Sequence, residues 1–308
     1  MSKDAPRFTM QVLSRCRDAV AFNKRGDFTA VDFRDVLASG LQGKKRLEVT
    51  GAILGVGRSR TRLPRNFTPF SLNEARVAYG THEIYEAAHW ERGKLYRWGI
   101  PKGYSQTQAL GLDYWGRPVA IAWRGQPAKG NMDIFTYQQG KLQLLHSKIY
   151  GGTDTIVNQR FDVWQWETNA VVRLPAPKEF QFGVAIPGSH PNEYIGMVSR
   201  ADTRMVCHWD RGRYTVLPLP KGAVAATATG VNDRGWIVGH AGNGFSDRST
   251  LWYEGQPLLL ENCTDSQGWH FGAVYGITPK GVIFLSATKN VDPARVTIPS
   301  LIALYPVN

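Results

Sequence analysis

A double-hairpin motif recurs along this 308-residue chain, and it constrains the fold more than any other feature of the sequence. In its clearest copy, over residues 228–260, Asn232-Asp233-Arg234-Gly235 separates two apolar stretches and Trp252-Tyr253-Glu254-Gly255 separates the next two. Asn, Asp and Gly tolerate the backbone angles of tight turns, so each tetrapeptide predicts a hairpin. Two hairpins within about 30 residues predict one four-stranded antiparallel sheet.

Both turns of this motif recur at intervals typical of a repeat protein. The second turn begins with an aromatic residue, at Trp90, Tyr137, Trp166, Trp209 and Trp252. The first turn begins at Asn23, Asn73, Asp113, Asn232 and Thr278, with degenerate copies at Gly151-Gly152 and Pro187-Gly188. Seven copies in 308 residues give about 44 residues per repeat, which is in the range of four-stranded propeller blades. An aromatic residue at a fixed repeat position is expected to pack within or between blades.

The repeat predicts an all-β fold: a closed β-propeller of four-stranded antiparallel blades, formed as a single domain over residues 1–308. Seven blades fit best, and six or eight are the alternatives. The 10 Trp, 12 Tyr, 13 Phe and 32 Gly agree with many strands joined by tight turns. The last apolar stretch, 302–307, resembles the third strand of a blade, and residues 8–13 can supply the fourth. We therefore expect residues 8–14 to pair with residues 300–306, so that N- and C-terminal strands close the ring.

The motif resembles the HAF-type repeat family, a set of bacterial β-propeller-like repeats related in pattern to kelch and WD repeats. The family pattern is similar to Ile-Asn-x-x-Gly-x-x-Val-Gly followed by Leu-Trp-x-x-Gly. It matches residues 231–255 well and four other copies fairly, and it covers most of the chain from about residue 72. No copy contains the His-Ala-Phe triplet, and Ala88-His89-Trp90 is the nearest. The resemblance implies the propeller architecture and carries no catalytic motif.

A basic segment over residues 41–65 departs from the repeat, and we interpret it as an extended insertion. Its seven cations face one acid, Glu48, and so supply half of the formal net charge of +12. The predicted partner- or anion-binding residues are Lys44, Lys45, Arg46, Arg58, Arg60, Arg62 and Arg65. In an extended strand, arginines two residues apart share one face and can bind phosphate or carboxylate groups. We therefore expect Arg58, Arg60 and Arg62 to share one exposed face, with the 44–46 cations nearby across a hairpin. The alternative is a solvated edge strand whose charge discourages aggregation.

Motifs for catalysis, metals and cofactors are not apparent in the sequence, and we expect none of the three. The seven His residues do not cluster with metal-ligand spacing, and we expect His89 and His208, which each precede an aromatic anchor, to be structural. Of the first-turn positions only Asp113 is acidic, so no pair of carboxylates for glycoside chemistry is visible. The Gly-rich run 51–57 lacks the ending of a phosphate-binding loop.

Three functions remain open at this point. The leading hypothesis is a non-enzymatic binding scaffold that mediates protein–protein interaction through its loop faces, with an acidic surface as one suitable partner. The first alternative is a glycan-binding or glycan-processing propeller. The second is an anion or nucleic-acid binder that uses the basic segment, although no stacked-aromatic RNA motif supports nucleic acid.

The sequence also gives expectations about location. No run approaches the roughly 18 apolar residues of a membrane span, and no apolar signal region follows the first residues. The three cysteines, Cys16, Cys207 and Cys263, are widely spaced and are interpreted as reduced thiols. We therefore expect a cytoplasmic monomer, with export by a non-classical route as the alternative, since HAF-type proteins are typically extracellular.

Overall fold

A computed structural model describes residues 5–37, 45–83, 85–112, 116–125, 132–149, 162–165, 170–175, 178–180, 182–200, 203–243, 247–266, 268–289 and 299–307. Strands dominate this part of the chain, and the one helix found there is a single 3-10 turn at Leu260–Cys263. None of the described residues forms a helix long and apolar enough to cross a membrane. The residues form two compact units: unit 1 comprises Met1–Arg15, Asp154–Gln165 and Ala170–Asn308, and unit 2 comprises Cys16–Thr153 and Trp166–Asn169.

Unit 2 contains three four-stranded antiparallel sheets, each built from consecutive strands. The first consists of the Cys16–Phe22 part of β1 with β2, β3 and β4, the second of β5–β8 and the third of β9–β12. The strands are β1 (Phe8–Phe22), β2 (Phe28–Leu37), β3 (Lys45–Val56), β4 (Ser59–Arg62), β5 (Phe67–Leu72), β6 (Ala78–His82), β7 (Glu86–Glu91), β8 (Lys94–Arg97), β9 (Gln106–Leu112), β10 (Pro118–Trp123), β11 (Met132–Gln138) and β12 (Lys141–Ile149).

Unit 1 contains a two-stranded hairpin, β13–β14, and three further four-stranded groups. These groups are β15–β18, β19–β22, and β23–β25 joined by the first half of β1. The strands are β13 (Asp162–Gln165), β14 (Ala170–Arg173), β15 (Phe182–Pro187), β16 (Glu193–Arg200), β17 (Thr203–Asp210), β18 (Arg213–Val216), β19 (Ala225–Val231), β20 (Ile237–Gly242), β21 (Arg248–Tyr253), β22 (Gln256–Leu259), β23 (Trp269–Ile277), β24 (Ile283–Lys289) and β25 (Ser300–Pro306). The prediction of an all-β fold made of four-stranded antiparallel sheets is confirmed.

The predicted pairing of the chain's two ends is also confirmed. Antiparallel pairs join β1 to β25 from Phe8↔Pro306 to Arg15↔Ser300. The N-terminal strand is therefore the outer, fourth strand of the group that contains β23, β24 and β25. Its Phe8 side chain is buried among apolar residues of β24 and β25, so hydrophobic burial stabilises the pairing together with the backbone hydrogen bonds.

The first turn of the repeat is held by the side chain with which it begins. Asn232 Oδ1 accepts 3.0 Å hydrogen bonds from the backbone amides of Arg234 and Trp236. The Oδ1 atoms of Asn23 and Asn73 accept equivalent bonds from amides four residues ahead, and the hydroxyl of Thr278 does the same. These side chains satisfy amides that the tight turn leaves without a strand partner. The copies at Asp113 and Gly151-Gly152 lie outside the described residues.

The second turn depends on two successive residues with positive φ. Glu254 and Gly255 have φ of 51° and 74°, and Arg211 and Gly212 have φ of 49° and 77°. Two positive φ angles in a two-residue hairpin define a type I′ turn, whose twist matches that of the flanking strands. This requirement explains why glycine recurs at the last position of the motif.

The aromatic anchors pack as predicted where the structure describes them. Trp90, Trp209 and Trp252 are buried. Trp209 Nε1 donates a 2.9 Å hydrogen bond to the carbonyl of Pro175, and Trp252 Nε1 donates one of the same length to Pro218. Each acceptor lies 34 residues before its Trp, so the indole joins one strand group to the preceding one. Trp166 lies outside the described residues.

Candidate acid–base site

The turn between β15 and β16 differs chemically from the other first turns. Pro187 ends β15 and Glu193 begins β16, and the backbone amide of Gly188 donates a 2.7 Å hydrogen bond to the Glu193 carbonyl. No Asn begins this turn. The Ser189 amide of this turn is instead satisfied by the carboxylate of Glu193 at its far end, which folds back over the turn. A charged group therefore occupies the place that a neutral amide takes elsewhere in the repeat.

Glu193 is buried and extensively hydrogen-bonded. Its side chain is 4% exposed. Oε2 accepts from the Ser189 amide at 2.6 Å and from the Ser189 hydroxyl at 2.7 Å, while Oε1 lies 2.8 Å from His208 Nε2. A buried carboxylate is costly unless it is paired and hydrogen-bonded, and these three contacts supply that compensation. The Ser189 hydroxyl donates to the carboxylate, so this is not the serine–imidazole pair of an acyl-transfer enzyme.

His208 and His190 are held in opposite tautomers by their acceptors. A carboxylate can only accept, so His208 Nε2 carries the proton that is shared with Glu193 Oε1. The carbonyl of Pro191 also can only accept, and it lies 3.1 Å from His190 Nδ1. Neutral His190 therefore carries its proton on Nδ1 and presents the lone pair of Nε2.

The basic nitrogen of His190 faces two carboxylates. Nε2 lies 3.7 Å from Glu193 Oε1 and 3.7 Å from Asp210 Oδ1. Both distances exceed a hydrogen bond, so neither carboxylate occupies the nitrogen. Asp210 Oδ1 is itself buried and accepts no hydrogen bond from any described residue, although Arg211 Nε lies 3.8 Å away. His190 is 38% exposed, so a substrate can reach it from solvent.

The electrostatics keep Glu193 ionised. Burial by itself would raise its pKa, but the hydrogen bonds from Ser189 and His208 and the charge of His190 outweigh burial, and so the pKa lies below its usual value of 4.5. An ionised carboxylate beside an imidazole orients the ring and stabilises the imidazolium that forms when the ring accepts a proton. The cluster can therefore act as a general base in which His190 receives the proton.

Strand register explains how distant residues meet at this site. Glu193 pairs directly with Asp210, and Ile195 pairs with His208, in the β16–β17 ladder. Residues two apart on a strand share a face, so His208 and Asp210 lie on the same side of β17. The sequence did not reveal this pair of carboxylates, because Glu193 and Asp210 are brought together by the pairing of β16 with β17 and not by a shared position in the repeat. One signal in the sequence could have indicated it. The first and second turns of one repeat lie at the same end of a sheet, so acidic residues in these two turns, here Glu193 and Asp210, are expected to be neighbours.

The remaining histidine prediction concerns His89, which was expected to be structural. Its Nδ1 accepts a 2.8 Å hydrogen bond from Trp98 Nε1, and its ring stacks on Tyr96 with centroids 4.7 Å apart. Burial lowers its pKa, against a smaller opposing effect of the Glu91 charge. A neutral imidazole that stacks on Tyr96 and accepts a hydrogen bond from Trp98 contributes to packing, in agreement with the prediction. Among the described residues, no group of three or more His, Cys, Asp or Glu side chains is arranged to hold a metal ion.

The basic segment does not form the single cluster that its spacing suggested. Arg60 and Arg62 lie on β4 and are exposed, whereas Arg58 lies in the β3–β4 turn rather than on the strand. Arg65 is exposed after β4. The backbones of Lys45 and Arg46 pair with β2, opposite Leu37 and Val36, at the far end of the 12-residue β3.

Register explains why the two halves of the segment separate. Arg62 pairs with Ile53, seven residues along β3 from Arg46, which corresponds to roughly 23 Å at about 3.3 Å per residue. Residues 45–62 are ordinary strands of a four-stranded sheet, and so the described part of the expected 41–65 insertion is regular. Lys44 lies outside the described residues. Binding of an anion or partner by these residues stays a prediction.

Comparison with known proteins identifies the fold but no family. No family model matches the sequence, and no curated protein matches it. The structure is similar to that of a catalytically inactive histidine-to-alanine variant of virginiamycin B lyase from Staphylococcus aureus, solved with quinupristin. The TM-score is 0.53 at 10% identity, and the match covers 97% of this chain and 100% of that chain. A gluconolactonase from Xanthomonas campestris also matches, with a TM-score of 0.41 at 10% identity over 99% of this chain and 95% of that chain.

The comparison overturns the leading hypothesis from the sequence. The lyase shares the propeller-like fold over nearly the whole of both chains, and it is an enzyme. The missing motifs therefore gave no ground for a non-enzymatic binding scaffold, and that interpretation was wrong. Fold alone assigns no activity, but it directs attention to groups that can perform acid–base chemistry.

Proposed function

We propose that this chain is a propeller enzyme that catalyses a proton-transfer reaction, of the kind that begins an elimination or a hydrolysis. His190 is the general base, and Glu193 and Asp210 stabilise its protonated form. The observation that carries the proposal is the position of His190: its side chain is 38% exposed, and its Nε2 lies 3.7 Å from each of two carboxylate oxygens. His208 is a positioning residue, because its contact with Glu193 fixes the orientation of the carboxylate.

The proposed architecture is a single closed propeller of seven blades. In the described part of the chain, six four-stranded groups and the β13–β14 hairpin follow one another, which gives seven candidate blades. The pairing of β1 with β25 supports closure, since it removes a strand edge that would otherwise stay open. A rigid ring of this kind would hold the β15–β16 turn and the end of β17 in a fixed geometry, as catalysis by a general base requires.

The geometry favours a histidine base over a glycosidase pair of carboxylates. Glycoside hydrolysis uses one carboxyl as the acid and another as a base or nucleophile. Glu193 already accepts three hydrogen bonds and is buried, so it is poorly placed to attack a sugar. A lyase that removes a proton from carbon needs one accessible base with a stabilised conjugate acid, and His190 meets both conditions.

The test is turnover by the purified full-length chain. Quinupristin and a panel of polysaccharides would be incubated with the protein, and products would be identified by mass spectrometry. Once a substrate is found, His190→Gln should lower kcat by about 10²- to 10⁴-fold, the usual contribution of a general base. His270→Gln, at an exposed position on β23, is the matched control and should leave kcat unchanged.

Two results would contradict this assignment. The first is wild-type kcat in His190→Gln. The second is a rate that depends on a carboxylate outside this cluster. Cleavage of a polysaccharide that survives both His190→Gln and His208→Gln would instead point to a glycan-processing site elsewhere in the chain.

A further inference from the structure

A cavity separate from the acid–base site lies in unit 1, on the β19–β22 group. It is an open pocket of about 540 Å³, bounded by the 220–223 turn, the end of β20, the start of β21, β22 and the 3-10 helix. Its size suits a small organic molecule. None of the acid–base residues lines it, so the pocket is independent of the proposed catalytic function.

The charged side chains that line the pocket are both cationic. Lys221 and Arg248 line it, and no Asp or Glu is among the described residues that do. Lys221 is exposed and forms no ion pair with any residue in the described part of the chain. Arg248 Nη2 donates a 2.7 Å bond to Glu261 Oε2, which fixes the guanidinium and leaves other N–H groups for a ligand. The pocket therefore presents one oriented and one mobile cation.

A third cation lies just behind the wall of the pocket. Arg7 Nη1 donates a 3.2 Å hydrogen bond to the carbonyl of Asn262, which lines the cavity. Its charge reaches the neighbouring Cys263 thiol: burial raises the pKa of that thiol, and Arg7 opposes the rise. Lys221, Arg248 and Arg7 therefore bring three positive charges to the pocket, and Glu261, which is paired with Arg248, offsets one of them. The positive balance among these groups favours an anion through the summed field.

Part of the pocket lining is apolar. Pro257, Leu258 and Ala241 line the pocket beside the cations. An inorganic ion would leave this wall in contact with water, whereas a molecule with an apolar body would cover it and gain hydrophobic stabilisation. The pairing of an apolar wall with a guanidinium and an ammonium group selects a ligand that carries an oxyanion at one end and a hydrocarbon body at the other.

We propose that this pocket binds a small organic oxyanion, a carboxylate or a phosphate ester, whose charged end contacts Lys221 and Arg248 and whose apolar body lies against Leu258. Arginine binds planar and tetrahedral oxyanions with two parallel hydrogen bonds, so the site accepts either head group. Carboxylates and phosphate esters share this chemistry, so the binding experiment needs one probe of each kind.

The test is calorimetric titration of the full-length protein with benzoate, phenyl phosphate and the uncharged analogue benzyl alcohol. At least one anion should bind saturably, and the alcohol should bind at least tenfold more weakly. Lys221→Ala and Arg248→Ala should each weaken anion binding by about tenfold, which corresponds to about 1.4 kcal/mol per contact. The stronger anion identifies the preferred head group.

Matched variants keep the result interpretable. Arg92→Ala removes a cation that does not line the pocket and whose side chain is 91% exposed, and it should leave binding unchanged. Arg248→Lys retains the charge, so it should retain part of the affinity even if Arg248→Ala disturbs the fold. Absence of saturable binding by both anions, or affinity that is unchanged in the Lys221→Ala/Arg248→Ala double variant, would overturn the proposal.

Discussion

His208 Nε2 lies 2.8 Å from Glu193 Oε1, across a single antiparallel ladder. Glu193 pairs with Asp210, and His208 lies two residues before Asp210 on the same face of β17. Diagonal neighbours of this kind are within reach of long side chains. The contact thus follows from register, and it places a buried carboxylate between two imidazoles of opposite tautomer.

The tautomers give the first prediction. His208 should carry its proton on Nε2 and neutral His190 on Nδ1, because a carboxylate accepts from the former and a carbonyl from the latter. Two-bond ¹⁵N–¹H correlation spectra of the folded protein distinguish the two tautomers directly. In Glu193→Ala the Nε2–H form of His208 should lose its dominance, whereas His190 should keep the Nδ1–H form. Identical tautomers for the two rings in the wild-type protein would contradict the proposed geometry.

The second prediction concerns acid stability. A carboxyl whose pKa is lower in the folded state contributes stability above its unfolded pKa, and loses it as the pH falls through the folded pKa. Glu193 has such a lowered pKa. The wild-type free energy of unfolding should therefore fall as the pH drops below about 4.5, and Glu193→Gln should remove this part of the dependence. At pH 7 the variant should be less stable by about 1–3 kcal/mol.

Urea unfolding between pH 3 and 7 measures this effect. Glu254→Gln, at an exposed turn position, is the control and should follow the wild-type curve at every pH. If the free energy of unfolding of Glu193→Gln lay below that of the wild type by the same amount at pH 3 and at pH 7, the Glu193 carboxylate would not be the source of the pH dependence.

The third prediction tests the bonds between strand groups. Trp209→Phe and Trp252→Phe each remove a buried indole N–H bond to a carbonyl 34 residues upstream. Each should cost about 1–3 kcal/mol, from the lost hydrogen bond and the smaller ring. The control is Trp236→Phe, since Trp236 is only partly buried and makes ring contacts with Phe8 and Tyr253. In chemical denaturation, Trp236→Phe should lower the free energy of unfolding much less than Trp209→Phe or Trp252→Phe does.

The sequence predicted those features of the fold that have a local cause. Turn residues such as Asn232 and Gly255 act on their own hairpins, so their spacing marked the strands directly. The pairing of residues 8–14 with 300–306 was predictable because a blade pattern that ends one strand short needs a partner. In both cases the signal lies within one repeat.

The candidate site could not be predicted in the same way, because it depends on register between strands. Glu193 breaks the turn pattern, and its role appears only when Asp210 and His208 are placed opposite it. The arrangement of the basic segment could not be predicted for the converse reason. Its cations are close in sequence, yet the pairing of Arg62 with Ile53 and of Arg46 with Val36 places them at opposite ends of one long strand.

The fourth prediction explains the glycine in the Val-Gly pair of the repeat. A Cβ on Gly239 would lie 2.0 Å from the Thr227 carbonyl oxygen, and one on Gly80 would lie 2.0 Å from that of Thr68. Backbone atoms of a neighbouring strand cannot move aside cheaply, so Gly239→Ala should cost about 3 kcal/mol or more. Gly255→Ala has open space around its Cβ and only a positive φ of 74° to oppose it. Its cost should be close to 1 kcal/mol.

The last prediction concerns the N-terminal strand. Phe8 is 4% exposed and packs edge-on against Trp236, with ring centroids 6.2 Å apart. Phe8→Ala should therefore cost about 3–5 kcal/mol, whereas Val12→Ala, at a side chain that is 46% exposed on the same strand, should cost less than about 1 kcal/mol. Removing residues 1–14 should have a larger effect than either, because it also leaves the hydrogen-bonding edge of β25 unpaired and open to self-association. Thermal unfolding and light scattering of the three variants measure both consequences. A truncated chain that melts at the wild-type temperature and stays monodisperse would show that β25 needs no partner, and the proposed closure of the ring by β1 would then be wrong.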